Sequence, residues 1–435
     1  MPDQQHLCNV ALWPSHQASN VCERCLFESG GEHQAPHTIA SIMNPIPRLR
    51  PYAGPAFFSY AFRPFFFLGA AQAALAIVLW LPLFAGEIAL PTLLVARDWH
   101  VHEMLFGYVP AIVTGFLLTA IPNWTGRMPL QGFPLLVLVT AWIGGRAAVG
   151  VSAKIGWIAA GIIDVGFLAL VIAAAAREII AGQNWRNLKV LIPVTVLALA
   201  DASFHVEAHA FGLADYSTRI GIAAILVLLM LIGGRIIPSF TRNWLARENP
   251  GRLPIPFGRF DALTIAVSVV ALCIWIAAAD GPATGMALLT AGVLQVLRLA
   301  RWAGDRTTRE RLVVVLHVAY AFVPLGFILT ALAAFGILLP SAGLHAWMVG
   351  AVGTMTLAVM TRASLGHTGH DLTAGTGTQT IYAAVVLAAL ARIFAGLFPA
   401  QILPLIHIAA LAWLVAFGGF AVLYGPMLFG PRRRA

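Results

Sequence analysis

Histidine and carboxylate pairs are the groups in this chain that can do chemistry. The stretch Trp99-His100-Val101-His102-Glu103-Met104 holds two imidazoles and a carboxylate, and Asp201, His205, Glu207 and His209 crowd a second short stretch. His345 and His407 stand apart from both. Neutral imidazoles ligate haem iron and copper. Carboxylates beside them orient the ring or carry protons. Residues three or four apart share a helix face, so Asp201, His205 and His209 form one stripe, and His100 stands beside Glu103 and Met104. His100 and His102 are about 200° apart at ~100° per residue and point to opposite sides of a helix. One metal does not easily take both. They serve two centres flanking one helix, or one is a ligand and the other an orienting group. On the face of His100, Gly107, Ala111 and Gly115 leave room for a flat macrocycle or for a neighbouring helix.

The elements that must position these groups are membrane spans. The chain has 435 residues, 59% hydrophobic and only 10% charged, with mean hydropathy +0.83. Soluble chains carry roughly 25% charged residues. An all-α, polytopic transmembrane bundle is therefore expected, and soluble enzymes, nucleic-acid-binding domains and disordered scaffolds are excluded. Windows long enough to cross a bilayer fall at 63–85, 98–121, 130–150, 155–180, 186–212, 216–238, 260–279, 282–304, 312–338, 343–365, 378–398 and 402–424. They make twelve spans, and Gly281-Pro282 is the shortest break between them. Of the 27 Lys and Arg, 21 fall on the side of the N-terminus, the even-numbered exits and the C-terminus, 5 fall on the other, and Arg24 lies in the leader. The positive-inside rule then places both termini in the cytoplasm, so the pI of 9.9 records topology and not an acidic partner. The basic cytoplasmic surfaces are the loops 239–259 and 301–311. In this topology His100, His102, His205, His209, His345 and His407, from four spans, gather in the outer half. Arg235, His317, Tyr320, Arg362, His367 and His370 form a second polar layer at the cytoplasmic end.

Residues 1–50 form a polar leader with His6, His16, His33, His37, Cys8 and Cys22-x-x-Cys25. It has no complete zinc-ligand spacing and reads as a disordered extension, or as sequence ahead of a start at Met43, with a labile metal-binding tail as the functional alternative. The twelve-helix domain covers 51–430, and a basic tail, 431–435, follows. No signal peptide is expected, because the first strongly apolar stretch is itself a full span. No Cys-x-x-Cys-His occurs, so any haem is non-covalent and b-type. Neither a Walker loop nor a dinucleotide-binding glycine fingerprint is credible.

Six ordered blocks carry a family resemblance: Phe62-Arg63-Pro64-Phe65-Phe66, WHVHEMLFGYVPAIVTGFLLTAIPNWTG (99–126), GRIIPSFT (234–241), LHVAYAF (316–322), HAWMVGAVGTMTLAVMTRASLGHTG (345–369) and YGPML (424–428). Together they resemble the NnrS family. The resemblance implies a bacterial inner-membrane protein of twelve helices that binds haem and copper and serves the nitric oxide response of denitrifying or nitrosatively stressed cells. Joined to the residues above, it points to a protein of the lipid bilayer that binds nitric oxide or a related small molecule, or turns it over as an oxidoreductase fed by an electron donor. His100, His102, His205 and His345 are the expected metal ligands, with Glu103, Asp201 and Glu207 orienting them or forming a proton path. His209, His317, His367 and His407 are secondary candidates, and His209 and His407 lie outside the six blocks. Two other classes stay open. An ion-coupled transporter or metal-handling protein would use Asp164, Asp201 and Glu207 as coupling sites, although no internal repeat supports it. A membrane sensor or assembly factor would use the basic loops.

Overall fold

A computed structural model describes residues 52–433. The expected leader and the last two residues of the tail lie outside the described residues. Twelve helices are long and apolar enough to cross a membrane, and the described residues contain no strand. In chain order they are α1 (Phe62–Phe84), α2 (Ala96–Thr125), α3 (Phe133–Gly150), α4 (Trp157–Ala181), α5 (Trp185–Phe211), α6 (Tyr216–Glu248), α7 (Arg259–Ala277), α8 (Pro282–Arg306), α9 (Arg311–Ala334), α10 (Pro340–Thr368), α11 (Thr376–Leu397) and α12 (Pro399–Phe429). A bilayer core offers the backbone no partner, so each span must close its own hydrogen bonds as a helix. The end where α1 stops and α2 starts is called the histidine end below, and the opposite one the far end.

The breaks between spans have local causes. Gly281 adopts φ +112°, where an L side chain is strained, and Pro282 opens α8 at a position that has no N–H to satisfy. The shortest break in the sequence is thus a true turn. Several helices outrun their apolar windows. α6 continues to Glu248, so part of the stretch expected as a basic loop after residue 238 is helix carrying Arg242 and Arg247.

Most consecutive helices pack side by side, and α12 closes back onto α1. α2 is the central pillar: 83% of its apolar window is buried, against 33% for α4. Ile162, Phe133, Leu411 and Val422 are exposed on the outside of the bundle, where apolar side chains face lipid. A buried polar network pins α7, α8 and α9 together. Arg298 Nε donates to Asp261 Oδ1 at 3.1 Å, Arg298 Nη1 to the Tyr320 hydroxyl at 2.7 Å, and that hydroxyl to Gln295 Oε1 at 2.8 Å. Arg298, expected in the loop group of the charge count, is therefore an interior residue.

Two helices leave α geometry at the same relative place. Glu103–Tyr108 in α2 and Ala346–Gly353 in α10 are π-helical, and each begins just after a histidine, His102 and His345 respectively. A π turn inserts a residue, rotates all that precedes it against all that follows, and is frequent at functional sites.

Candidate metal centre

His102 leaves α2 toward α4 and α5 and is fully buried. Its Nε2 lies 3.0 Å from Asp164 Oδ2 and 3.2 Å from Asp201 Oδ1. His205, one helical turn beyond Asp201, brings Nε2 to 3.2 Å from the same Asp164 oxygen and 3.9 Å from Asp201 Oδ1. One ligand atom from each of these four residues falls within 4.8 Å of the others. On its other side His102 Nδ1 lies 3.4 Å from Glu103 Oε1, an arrangement that fixes the ring and leaves Nε2 for a ligand role. Arg146, from the end of α3, donates to Glu103 Oε1 at 2.9 Å and is also bound to Asp164, while Gln72 of α1 donates to Glu103 Oε2.

Glycines make this approach possible. A Cβ at Gly107 would stand 2.5 Å from Arg146 Nη1, and one at Gly145 2.6 Å from Asp164 Oδ1. The Gly107 carbonyl, within the π turn, accepts from Trp142 Nε1 at 2.9 Å.

The charges test whether a cation fits. Glu103, Asp164 and Asp201 are three buried carboxylates against one guanidinium, Arg146. Unbalanced buried charge is costly. Neutrality needs two more positive charges, from two imidazole protons or one divalent cation. A cation fits this group: His102 Nε2 and Asp201 Oδ1 are buried, 3.2 Å apart and outside hydrogen-bond geometry. Two imidazoles and two carboxylates are a nitrogen and oxygen set that suits first-row divalent metals, Cu(II) included, and not Cu(I), which prefers sulfur.

His100 points the other way, into a chamber of about 350 Å³ between α1, α2, α6, α10, α11 and α12. Its ring stacks on Trp80 with centroids 4.4 Å apart, and its buried Nδ1 has no hydrogen-bond partner. His345 lines the same chamber. Its Nδ1 donates to Ser341 O at 2.6 Å, and its Nε2 accepts from Arg392 Nη2 at 2.6 Å. Met104 and Met348 add thioethers to a wall that is otherwise largely apolar, and Arg97 and Arg392 add cationic groups. The donors fit haem: an imidazole with an unpartnered nitrogen, thioethers, apolar walls and the Arg392 guanidinium, able to pair with a carboxylate, while Arg97 is already paired with Asp215.

The structure thus brings His102 together with His205 and His100 together with His345. Of the residues expected to orient ligands, Glu103 and Asp201 lie at the first group. Glu207 does not. Its carboxylate accepts from the backbone N–H groups of Asp215, Tyr216 and Ser217 at 2.8–3.0 Å, holding the α5–α6 turn. His209 stacks on Trp157 at 4.6 Å and, with His205, lines a pocket of about 150 Å³ at the histidine end. His407 is exposed, with Nδ1 donating to Leu403 O. At the far end His317 pairs with Thr241 at 2.8 Å, and His367 lies against Phe62 with centroids 5.4 Å apart.

Sequence reasoning missed Arg146 and Arg392, which count as loop residues in the charge tally but have buried guanidiniums, each bonded to a candidate site residue. Asp164 entered only as a transporter's coupling site. The signal was there: an aspartate eight residues inside a span demands a partner. The stripe of Gly107, Ala111 and Gly115 resolves as packing. Gly107 receives Arg146 and Gly115 receives Phe66, while the π turn carries Gly107 off the face of His100.

A bundle of twelve spanning helices with a buried His/Asp cluster that can hold a metal is a multi-pass membrane protein equipped for metal binding. The family profile described as NnrS protein matches residues 56–432, and the chain belongs to the NnrS family. No curated relative matches it.

Proposed function

We propose that this chain is a bacterial inner-membrane haem/copper protein that binds or turns over nitric oxide in denitrification or the nitrosative-stress response. The observation that carries the reading is the divergence of His100 and His102 into two separate groups, each meeting a histidine from another span. On this reading His100, whose Nδ1 is unpartnered, would ligate a b-type haem in the chamber, His345 could join it only once Arg392 releases its Nε2, and His102, His205, Asp164 and Asp201 would hold copper in its divalent state. The haem supplies a site where a neutral diatomic can bind iron, and the copper a second redox centre. The chain's own residues do the rest. Glu103 fixes the His102 ring, Arg146 offsets the carboxylate charge, Arg392 would pair with the carboxylates of the bound haem, and the apolar walls exclude water. The pocket lined by His205 and His209 opens the cluster to one end of the bundle, a path for metal and protons. Any turnover draws electrons from a donor outside the chain.

Orientation rests on the basic residues. Removing the interior arginines Arg63, Arg146, Arg298 and Arg392 takes two from each side of the tally, so the asymmetry that puts both termini in the cytoplasm persists. The reading is tested by anaerobic titration of the reduced, purified protein with nitric oxide. A shift of the haem absorption bands saturating with ligand is expected, and bands that stay unchanged at excess nitric oxide overturn it.

A further inference from the structure

Three cavities lie end to end along α2. The His100/His345 chamber reaches down to Tyr108 and Val109. Val109 also walls a second cavity of about 90 Å³ between α2, α5, α6 and α10. That cavity in turn shares Phe116, Ile236 and Val359 with a third, of about 120 Å³, whose far-end wall carries Asn243, Arg362 and His367. The middle cavity is lined by aliphatic and aromatic side chains apart from the Met355 thioether and Thr356. The hydroxyl of Thr356 is already committed, to the Tyr108 hydroxyl and to Val352 O and Gly353 O at 2.8 Å each. No carboxylate lines any of the three.

We propose that these cavities form one conduit, through which small neutral gases travel along the bundle axis to the chamber beside His100. The lining decides the class of ligand. An ion in the middle cavity would lose its hydration with no charged partner to replace it, a cost that keeps ions out. Water would find no free partner there either. An uncharged diatomic loses little on leaving water, and apolar cavities take up xenon and similar apolar guests. Two narrow points divide the path. Val109, together with the Tyr108–Thr356 pair, stands between chamber and middle cavity, and Phe116 stands between the middle and far cavities; rotamer motion of such side chains opens passages transiently. The path also bears on the transporter alternative: its cavities lack the carboxylates that ion coupling needs, because Asp164 and Asp201 belong to the other side of α2. The inference deepens the function proposed above and rests on it only for the identity of the gas.

Xenon is the probe. Xenon-129 NMR of the full-length purified protein, with empty micelles of the same detergent as reference, should show a protein-bound signal in exchange with the micelle. Val109→Phe and Val359→Phe fill the two junctions and should each diminish that signal. Phe116→Ala widens the lower one and should increase it, and Leu411→Phe, on the lipid-facing surface, should leave it unchanged. Absence of bound xenon from both wild type and Phe116→Ala overturns the conduit, as does a signal indifferent to both junction substitutions. Should the filled variants fail to fold, Phe116→Ala against wild type decides. Xenon uptake with the expected variant pattern, but no response of the metal centres to nitric oxide, would leave the conduit standing and remove the proposed gas.

Discussion

At the scale of single residues, the decisive quantity is charge in a dry place. Asp201 is buried, lies one turn from His205, and points an oxygen without a hydrogen bond at His102. Asp201→Asn keeps the shape and removes the charge, so metal affinity should fall ~10 to 100-fold by the precedent of residues that tune metal ligands. Competition with a chelator of known affinity measures it, and wild-type affinity would take Asp201 out of the site. Arg146 balances two carboxylates, and removing one partner of a buried pair costs about 3–5 kcal/mol. Arg146→Met should therefore lower the thermal unfolding midpoint markedly, and adding Glu103→Gln to it should recover part of the loss. Asp201 and His205 were legible in the sequence because helix periodicity joins residues four apart. Arg146 and Asp164 were not, because they come from two further spans and no spacing rule links them to His102. Arg392 was hidden likewise: an arginine near a span end looks like a loop residue until the helix against which it packs is known.

At the scale of elements, the twelve spans were readable from hydrophobic windows, since lipid forces each apolar segment of that length into a helix. Their true ends were less so: the last turns of α6 and α10 are polar and fall outside any hydropathy window. The π turns of α2 and α10 had no signature at all, because a shifted hydrogen-bond ladder leaves the composition unchanged. They matter for the sites. Deleting Leu105 from the π turn of α2 should restore α geometry and rotate the first turns of the helix by ~100° against the rest. His102 would then leave Asp164 and Asp201, and His100 would leave the chamber. The expected outcome is a protein still inserted in the membrane with both metals lost. Full metal content in the deletion variant would show that the π turn does not position the histidines.

At the scale of the whole molecule, the bundle sets two histidine groups on either side of one pillar, α2, with three largely apolar cavities along it. The proposed orientation, with both termini in the cytoplasm, rests on the basic residues. Reporter fusions at residue 90, in the α1–α2 connection, and at residue 250, beyond α6, should report opposite compartments; the same compartment for both would refute the topology. The central claim is that the two histidines of the Trp99-His100-Val101-His102 stretch serve different centres. Its most direct measurement is metal analysis together with oxidised and reduced absorption spectra of purified wild type, His100→Ala and His102→Ala. His100→Ala should lose or shift the haem bands and keep the copper, and His102→Ala should lose the copper and keep the haem bands. Loss of the same metal from both variants, or full content of both metals in each, would contradict it.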